Sequence, residues 1–184
     1  MDYANDTYES NLIQAYRELL DFTDTLDDNA FASAPLEGKW SPAQHLVHLN
    51  RSLGIVVWVS AWPHALKRLL WGRSNRPSRS YDQLVQRYQE RLAGIQAKSP
   101  AFFAPPPQKA SQRKRITARL RTLTERYAHQ LRSCPSEYLE SQLLPHPALG
   151  KVTALEMVLF SAYHGRLHLG LMQRDLKAKG LNAL

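Results

Sequence analysis

Hydrophobic residues recur every three or four positions over most of this chain, which is the period of an amphipathic α-helix. The first such segment runs from Tyr3 to about Asp27. The second begins at Pro42, directly after Ser41, a pair typical of a helix start because a serine hydroxyl caps the first turn and proline suits its first position. We expect this helix to continue past Val57 and to bend near Pro63, whose ring removes a backbone donor.

Two more helical segments follow a basic, turn-rich loop. The third is predicted from about Leu84 to Ile95 and ends before Pro100. The fourth is predicted from about Ser111 to Arg132, and Pro135 stops it. Between them, Pro100 and the prolines at 105–107 predict an extended spacer, because proline has no N–H to donate and a fixed φ.

A last helix is predicted after Thr153, which forms a capping box with Glu156 three residues later. The preceding residues 145–150 are expected to form an irregular loop. No segment has the alternating, β-branched pattern of a strand, so we expect none of any length. The pattern therefore predicts an all-α bundle, and residues 1–184 suit a single domain.

Composition narrows the class of protein. Hydrophobic residues make up 43% of the chain and charged residues 22%, as in ordinary globular proteins. The longest apolar stretch is interrupted by Pro63, His64, Lys67 and Arg68, so no membrane span is expected. A lone cysteine, Cys134, forms no internal disulfide and is interpreted as structural, and nothing resembles a secretory leader. These features favour a cytoplasmic protein.

The formal net charge of +8 keeps nucleic acid open as a partner, because a basic protein releases counterions when it binds a polyanion. The basic residues of the fourth helix point to several faces, however, and few aromatic residues lie among them to stack on bases. Solvated helix faces are the favoured interpretation, and a non-catalytic metal- or polyanion-binding bundle remains the alternative. The basic residues concerned are Lys109, Arg113, Lys114, Arg115, Arg119, Arg121 and Arg126.

Three histidines form the candidate functional site. His164 and His168 stand four residues apart, so a helix projects both from one face. His48 falls among leucines and valines on the apolar face of the second helix, where an unpaired imidazole is costly to bury. Together they predict a divalent metal site with an open position, as in catalytic zinc sites, with Ni²⁺, Fe²⁺ or Mn²⁺ as alternatives to Zn²⁺. A buried hydrogen-bonded cluster without metal is the competing interpretation.

The remaining histidines are weighed in the same way. His45 lies one turn before His48 and is the candidate proton carrier, or hydrogen-bond partner of a metal ligand. For His64, His129 and His146 a hydrogen-bonded or solvated role is expected. The three tryptophans at 58, 62 and 71 suit a subunit contact or a ligand pocket as well as they suit ordinary core packing.

Two stretches of the chain carry a family resemblance. They are KWSPAQHLVHL at 39–49, and HPALGKVTALE at 146–156 followed by YHGRLHL at 163–169. The first resembles the opening of the second helix in the DinB-like superfamily, the damage-inducible protein family, with a histidine eight residues after the tryptophan. The second resembles the family's last helix with its His-x-x-x-His pair.

The resemblance implies more than the periodicity does. It implies a four-helix up-up-down-down bundle, with an extra short helix or long connections and often dimeric, and His48, His164 and His168 as metal ligands. Members of that family include thiol-dependent transferases and isomerases. A cation at this site would lower the pKa of a bound water or thiol, so we expect a metal-dependent hydrolase or thiol-dependent transferase that acts on a small molecule, with a low-molecular-weight thiol as a candidate partner. The chain departs from the pattern at Leu171, where relatives often carry a polar glutamine.

Overall fold

Four long helices dominate the structure, a computed structural model that describes residues 3–94 and 104–180. They are α1 (Tyr3–Asp24), α3 (Pro42–Ser60), α6 (Arg113–Arg132) and α8 (Ala154–Ala178). Shorter helices lie in the connections between them. These are α2 (Asp28–Ala32), α4 (His64–Trp71), α5 (Tyr81–Gly94) and α7 (Ser136–Ser141).

Contacts between helix ends set the direction of α1 relative to α6. Arg132 at the end of α6 binds the carboxylate of Glu9 near the start of α1, with Nε 2.9 Å from each oxygen. At the other end, Arg113 donates a hydrogen bond of 2.9 Å to the carbonyl of Thr23. The two helices are therefore antiparallel.

The direction of α3 follows in the same way. Asn50 of α3 donates to the carbonyl of Ile116, and Gln130 of α6 donates to the carbonyl of Val57, so α3 and α6 are parallel. The histidine contacts described below make α3 antiparallel to α8. The all-α four-helix bundle with extra short helices is confirmed, with two neighbouring helices running each way. Counted from α1, the four long helices run up, down, down and up.

Local capping begins α3 and α8 as the sequence predicts. Ser41 accepts from the backbone N–H of Gln44, whose side-chain oxygen accepts from the backbone N–H of Ser41, and Thr153 and Glu156 do the same for α8. The predicted bend at Pro63 is wrong. The helix ends at Ser60 instead, and Pro63 stands directly before α4, where its missing N–H costs no hydrogen bond.

The expectation of an irregular loop at 145–150, with no strand nearby, is also wrong. Strands β1 (Leu143–His146) and β2 (Gly150–Thr153) form an antiparallel hairpin that leads directly into α8. His146 explains the turn, because its Nδ1 accepts from the backbone N–H groups of Ala148 and Leu149. Gly150 has a φ of 75°, which glycine adopts without strain. Four-residue strands are too short to show a hydrophobic alternation.

Several predicted boundaries shift by a few residues. The first helix ends three residues early, and the predicted start of the fourth is occupied by a 3-10 turn at Ala110–Gln112. Residues 105–107 have no regular secondary structure, as the prolines predict. The predicted end of the third helix at Ile95 and the spacer residue Pro100 lie outside the described residues.

The core lies between the four long helices. Leu12 and Leu19 of α1 meet Leu46 and Leu49 of α3 in one buried apolar cluster, all with no exposed surface. Gly165 of α8 faces the ring of Tyr16 of α1, and a Cβ there would make an ordinary contact of 3.5 Å with that ring. Among the described residues, no helix has the length and apolar composition that a membrane span needs.

Candidate metal centre

Three buried histidines meet where α3 crosses α8. Nε2 of His164 lies 3.2 Å from Nε2 of His48 and 3.0 Å from Nε2 of His168. One ring nitrogen from each residue lies within 4.8 Å of the other two. The structure therefore brings together the three residues that the sequence predicts as metal ligands.

The helices hold these rings in place. His164 and His168 are one turn apart on α8, so their side chains leave the same face. His48 comes from the facing side of α3. Each of the three is less than a tenth exposed, which means that the bundle fixes the rings and keeps most water from them.

The contacts within the cluster suit a cation better than hydrogen bonds alone. Nε2 of His164 has one lone pair, yet it lies within hydrogen-bond distance of two other Nε2 atoms. Two nitrogens bound tetrahedrally to one Zn²⁺ ion, each about 2.0 to 2.1 Å from it, lie roughly 3.3 Å apart. The observed separations of 3.0 and 3.2 Å are close to that value. A divalent cation therefore fits the donor set.

His45 contacts the His168 ring on the side opposite His164. Its Nδ1 lies 2.7 Å from Nδ1 of His168, on the ring edge that faces away from His164. If Nε2 of His168 is a ligand atom, the proton of that ring is on Nδ1, and this N–H donates a hydrogen bond to Nδ1 of His45. His45 is then the group that holds the His168 ring, a role more often filled by a carboxylate or a backbone carbonyl.

Burial keeps the imidazoles neutral. It lowers the pKa of His45 to about 4, with a further lowering from neighbouring His48 and Arg174 and an opposing effect of Asp175. Burial also lowers the pKa of His164 and of His168 well below the usual value, and the other histidines add to this. At neutral pH the rings of His45, His164 and His168 are therefore uncharged. An uncharged imidazole has one ring nitrogen with a free lone pair, which is the form that binds a metal ion.

Aromatic rings enclose the cluster. The Trp40 ring lies parallel to that of His168, with 6.3 Å between centroids, and 5.2 Å from that of His48. On the other side, Phe160 stacks against His164 at 5.2 Å. Neither ring was predicted as part of the site, although Trp40 belongs to the motif before α3. These apolar walls lower the local dielectric around the three nitrogens.

A large cavity opens beside the histidines, with a volume of about 940 Å³. Its walls are mostly apolar or aromatic, and its charged residues are Lys39, Arg174 and Asp175. Leu171, the position at which the chain departs from the family pattern, lines the cavity. The polar contact to the His168 ring comes instead from His45 on the other helix.

Apart from His146, which lines the metal-site cavity and lies 4.2 Å from the Phe160 ring between centroids, the other candidate residues lie away from this cluster. His64 stacks on Tyr138 at 3.9 Å, His129 is exposed, and His146 is buried with its backbone hydrogen bonds. Cys134 is half-buried in a second cavity. Arg113, predicted as part of a basic surface, instead clamps the end of α1 and lies 4.2 Å over the ring of Phe31.

The fold and the site define a helical bundle in which two crossing helices present three histidines to one cavity. A family model described as the DinB superfamily matches residues 11–172. The chain therefore belongs to the DinB superfamily.

A solved structure shares this fold. YfiT from Bacillus subtilis, described as a probable metal-dependent hydrolase with an unusual four-helix bundle topology, aligns with a TM-score of 0.64. The alignment covers 99% of this chain and 91% of YfiT at 14% sequence identity. At that identity the likeness establishes the fold. Comparison with curated protein sequences gives no match.

Proposed function

We propose that this protein is a metal-dependent hydrolase of small molecules that holds one divalent cation through His48, His164 and His168. The observation that carries the proposal is the meeting of three buried Nε2 atoms at the wall of a large cavity. The description of YfiT as a probable metal-dependent hydrolase supports it. Zn²⁺ is the cation we expect first, with Ni²⁺, Fe²⁺ or Mn²⁺ as alternatives for an all-imidazole site.

Each residue of the site has a distinct task in this proposal. Three imidazoles leave a position open for water, and a cation there supplies the Lewis acidity that lowers the pKa of that water. His45 holds the His168 ring in the orientation that directs Nε2 at the cation. Trp40 and Phe160 exclude bulk water, so charge that develops on a substrate carbonyl interacts strongly with the site.

The cavity indicates the kind of substrate. Its walls carry apolar side chains from α3, α5 and α8, which suit a molecule with an apolar or aromatic body. Lys39 is the charged residue of the cavity that forms no ion pair within the described part of the chain, and it suits a substrate with an acceptor or anionic group. An ester or amide of such a molecule is the substrate class we propose.

Thiol transfer is the second reaction that the same site would support. A coordinated thiol, like a coordinated water, is deprotonated near neutral pH, and the cavity has room for a low-molecular-weight thiol. Such thiols are abundant in reducing compartments, and the lone Cys134 is consistent with the cytoplasmic location that we propose.

Activity on chromogenic aryl esters tests the hydrolase proposal. Zinc-loaded protein is expected to hydrolyse at least one aryl ester of a small acid, to lose that turnover on chelation and to regain it when Zn²⁺ is returned. The His168→Ala variant should be inactive, whereas His129→Ala, with its exposed histidine, should match the parent. Turnover that survives chelation would contradict the proposal, and turnover of glutathione with an aryl chloride instead would favour thiol transfer.

His45 is expected to act as a positioning residue. His45→Ala should weaken zinc binding by about 10- to 100-fold, the usual cost of removing a hydrogen-bond partner from a ligating histidine. His45→Gln, whose amide oxygen can still accept from His168, should recover part of that loss. Competition with a zinc-sensitive dye measures both constants. Equal zinc affinities for His45→Ala and the parent would show that His45 does not position the His168 ring for zinc binding.

A homodimer is the assembly we propose, and an exposed apolar patch supports it. The residues of α4 are arranged unusually, with Lys67 buried while Leu66, Leu69 and Leu70 face outward, Leu69 being 82% exposed. Trp58, which is 62% exposed, extends the patch along α3 through its contact with Trp62. Contiguous apolar surface of this kind is typical of a protein interface.

Light scattering after size-exclusion chromatography tests the dimer. Leu69→Glu places a charge in the patch and is expected to halve the particle mass at micromolar concentration. Leu36→Glu, a partly exposed leucine outside the patch, makes the same substitution as a control and should leave the mass unchanged. A parent protein that runs as a monomer would contradict the assembly without affecting the metal site.

A further inference from the structure

A second cavity, which shares no described lining residue with the metal-site cavity, lies where the end of α3 meets α4 and α7. Its volume is about 230 Å³. A buried lysine lines it, together with other polar and titratable side chains that the proposed hydrolysis does not use. Among them are His64, Tyr127, His129, Gln130, Cys134 and Tyr138.

Lys67 is the anomaly at this site. Its side chain is 1% exposed, although leucines on the same short helix face solvent. Nζ donates a hydrogen bond of 2.7 Å to the carbonyl of Ser60 at the end of α3 and lies 5.2 Å from the ring centroid of Tyr138. Both partners are neutral. No carboxylate in residues 7–93 and 104–180 lies within ion-pair distance of this ammonium.

A buried charge without a counterion is unfavourable unless something compensates it. Burial lowers the pKa of Lys67, in keeping with that cost. The C-terminal carbonyl of α3 offsets part of it, because the end of a helix carries partial negative charge. No Asp or Glu is among the described residues that line the cavity. Cys134 in the same wall opposes the lowering of the Lys67 pKa only as a thiolate, and burial raises the pKa of that thiol. A small anion would supply the missing negative charge.

Gln130 places a hydrogen-bond acceptor without a donor in the same cavity. Its Nε2 donates to the carbonyl of Val57, which fixes the orientation of the amide. Its Oε1 is then buried without a hydrogen-bond partner within the described part of the chain. Such an oxygen requires a donor, for example a hydroxyl group. The rest of the wall is partly apolar, with Leu131, Leu139 and Leu144.

We propose that this cavity binds a small organic carboxylate, whose anionic group contacts Nζ of Lys67 and whose hydroxyl, where present, donates to Oε1 of Gln130. The apolar leucines favour an organic acid with a short carbon body over an inorganic ion. The cavity has about a quarter of the volume of the metal-site cavity, so it suits a ligand smaller than the substrate of the metal site. Anion binding at this site does not depend on the metal centre.

Isothermal titration calorimetry with lactate, at an ionic strength held constant with sodium chloride, tests the proposal. The parent protein is expected to bind one equivalent saturably. Lys67→Met, which keeps the apolar stem and removes the charge, should bind at least tenfold more weakly. Lys114→Met, a control at an exposed lysine of α6, should bind as the parent does.

A second variant keeps the test decisive if Lys67→Met unfolds. Gln130→Glu places a carboxylate in the cavity, and its charge should repel the ligand and abolish lactate binding while pairing with the buried lysine. His164→Ala should bind lactate as the parent does, which separates this site from the metal centre. No saturable binding by the parent, or equal affinity in the parent and a folded Lys67 or Gln130 variant, would overturn the proposal.

Discussion

Replacing His164 by alanine is expected to abolish zinc binding, which is the largest single effect predicted here. Its Nε2 contacts both other cluster nitrogens, so its removal leaves two donors with no common neighbour. At a free zinc concentration 100 times the dissociation constant, binding stabilises the folded protein by about 2.7 kcal/mol. For a chain of this length that raises Tm by roughly 5 to 10 °C. The His164→Ala variant should show no such rise.

Differential scanning fluorimetry of metal-free protein, with and without added Zn²⁺, measures this effect. His129→Ala is the matched control, because it removes an exposed imidazole from α6 and should keep the full rise in Tm. A rise in Tm that persists in His164→Ala would mean that zinc binds elsewhere.

Glu156→Ala is expected to lower the free energy of unfolding by about 3 kcal/mol, the scale for breaking a buried ion pair. The carboxylate is fully buried and accepts from the guanidinium groups of Arg76 and Arg79 and from the backbone N–H groups of Arg79 and Thr153. These bonds attach the loop before α5 to the start of α8. Alanine would leave every one of those donors without its acceptor.

Urea denaturation at neutral pH measures the loss. Glu137→Ala provides the control, since that carboxylate also pairs with an arginine, Arg73, but is 85% exposed. An exposed pair of this kind contributes at most about 1 kcal/mol. Equal losses for the two variants would show that burial of Glu156 adds nothing to stability.

The sequence predicts the three clustered histidines because their placement depends on local periodicity. A spacing of four residues places His164 and His168 on one face of any helix, and an apolar stretch around His48 indicates that its helix buries this face. The capping box at the start of α8 is predicted for the same reason, since Thr153 and Glu156 interact across a single turn.

Interactions between distant segments are not visible in the sequence. The contact of His45 with His168 spans 123 positions, so periodicity gave His45 only a general place near the site. The two arginines that hold Glu156 come from an irregular loop. The hairpin before α8 depends on one side chain, His146, that closes its turn.

The inward position of Lys67 is another feature that the sequence does not show. Helical periodicity in α4 predicts that the leucines face the core and the lysine faces water. The structure reverses this, because the carbonyl of Ser60 and the ring of Tyr138 stabilise the ammonium on the inner side. Such a reversal is a tertiary effect, and it leaves the apolar patch exposed.

X-ray absorption spectroscopy of zinc-loaded protein, purified without a histidine tag, tests the central claim most directly. The expected spectrum shows one zinc per chain with three imidazole nitrogens at about 2.0 to 2.1 Å and one further light ligand. The same sample of His164→Ala should retain no stoichiometric zinc. A parent spectrum with sulfur or mainly carboxylate ligands, or a parent protein that binds no zinc, would contradict it.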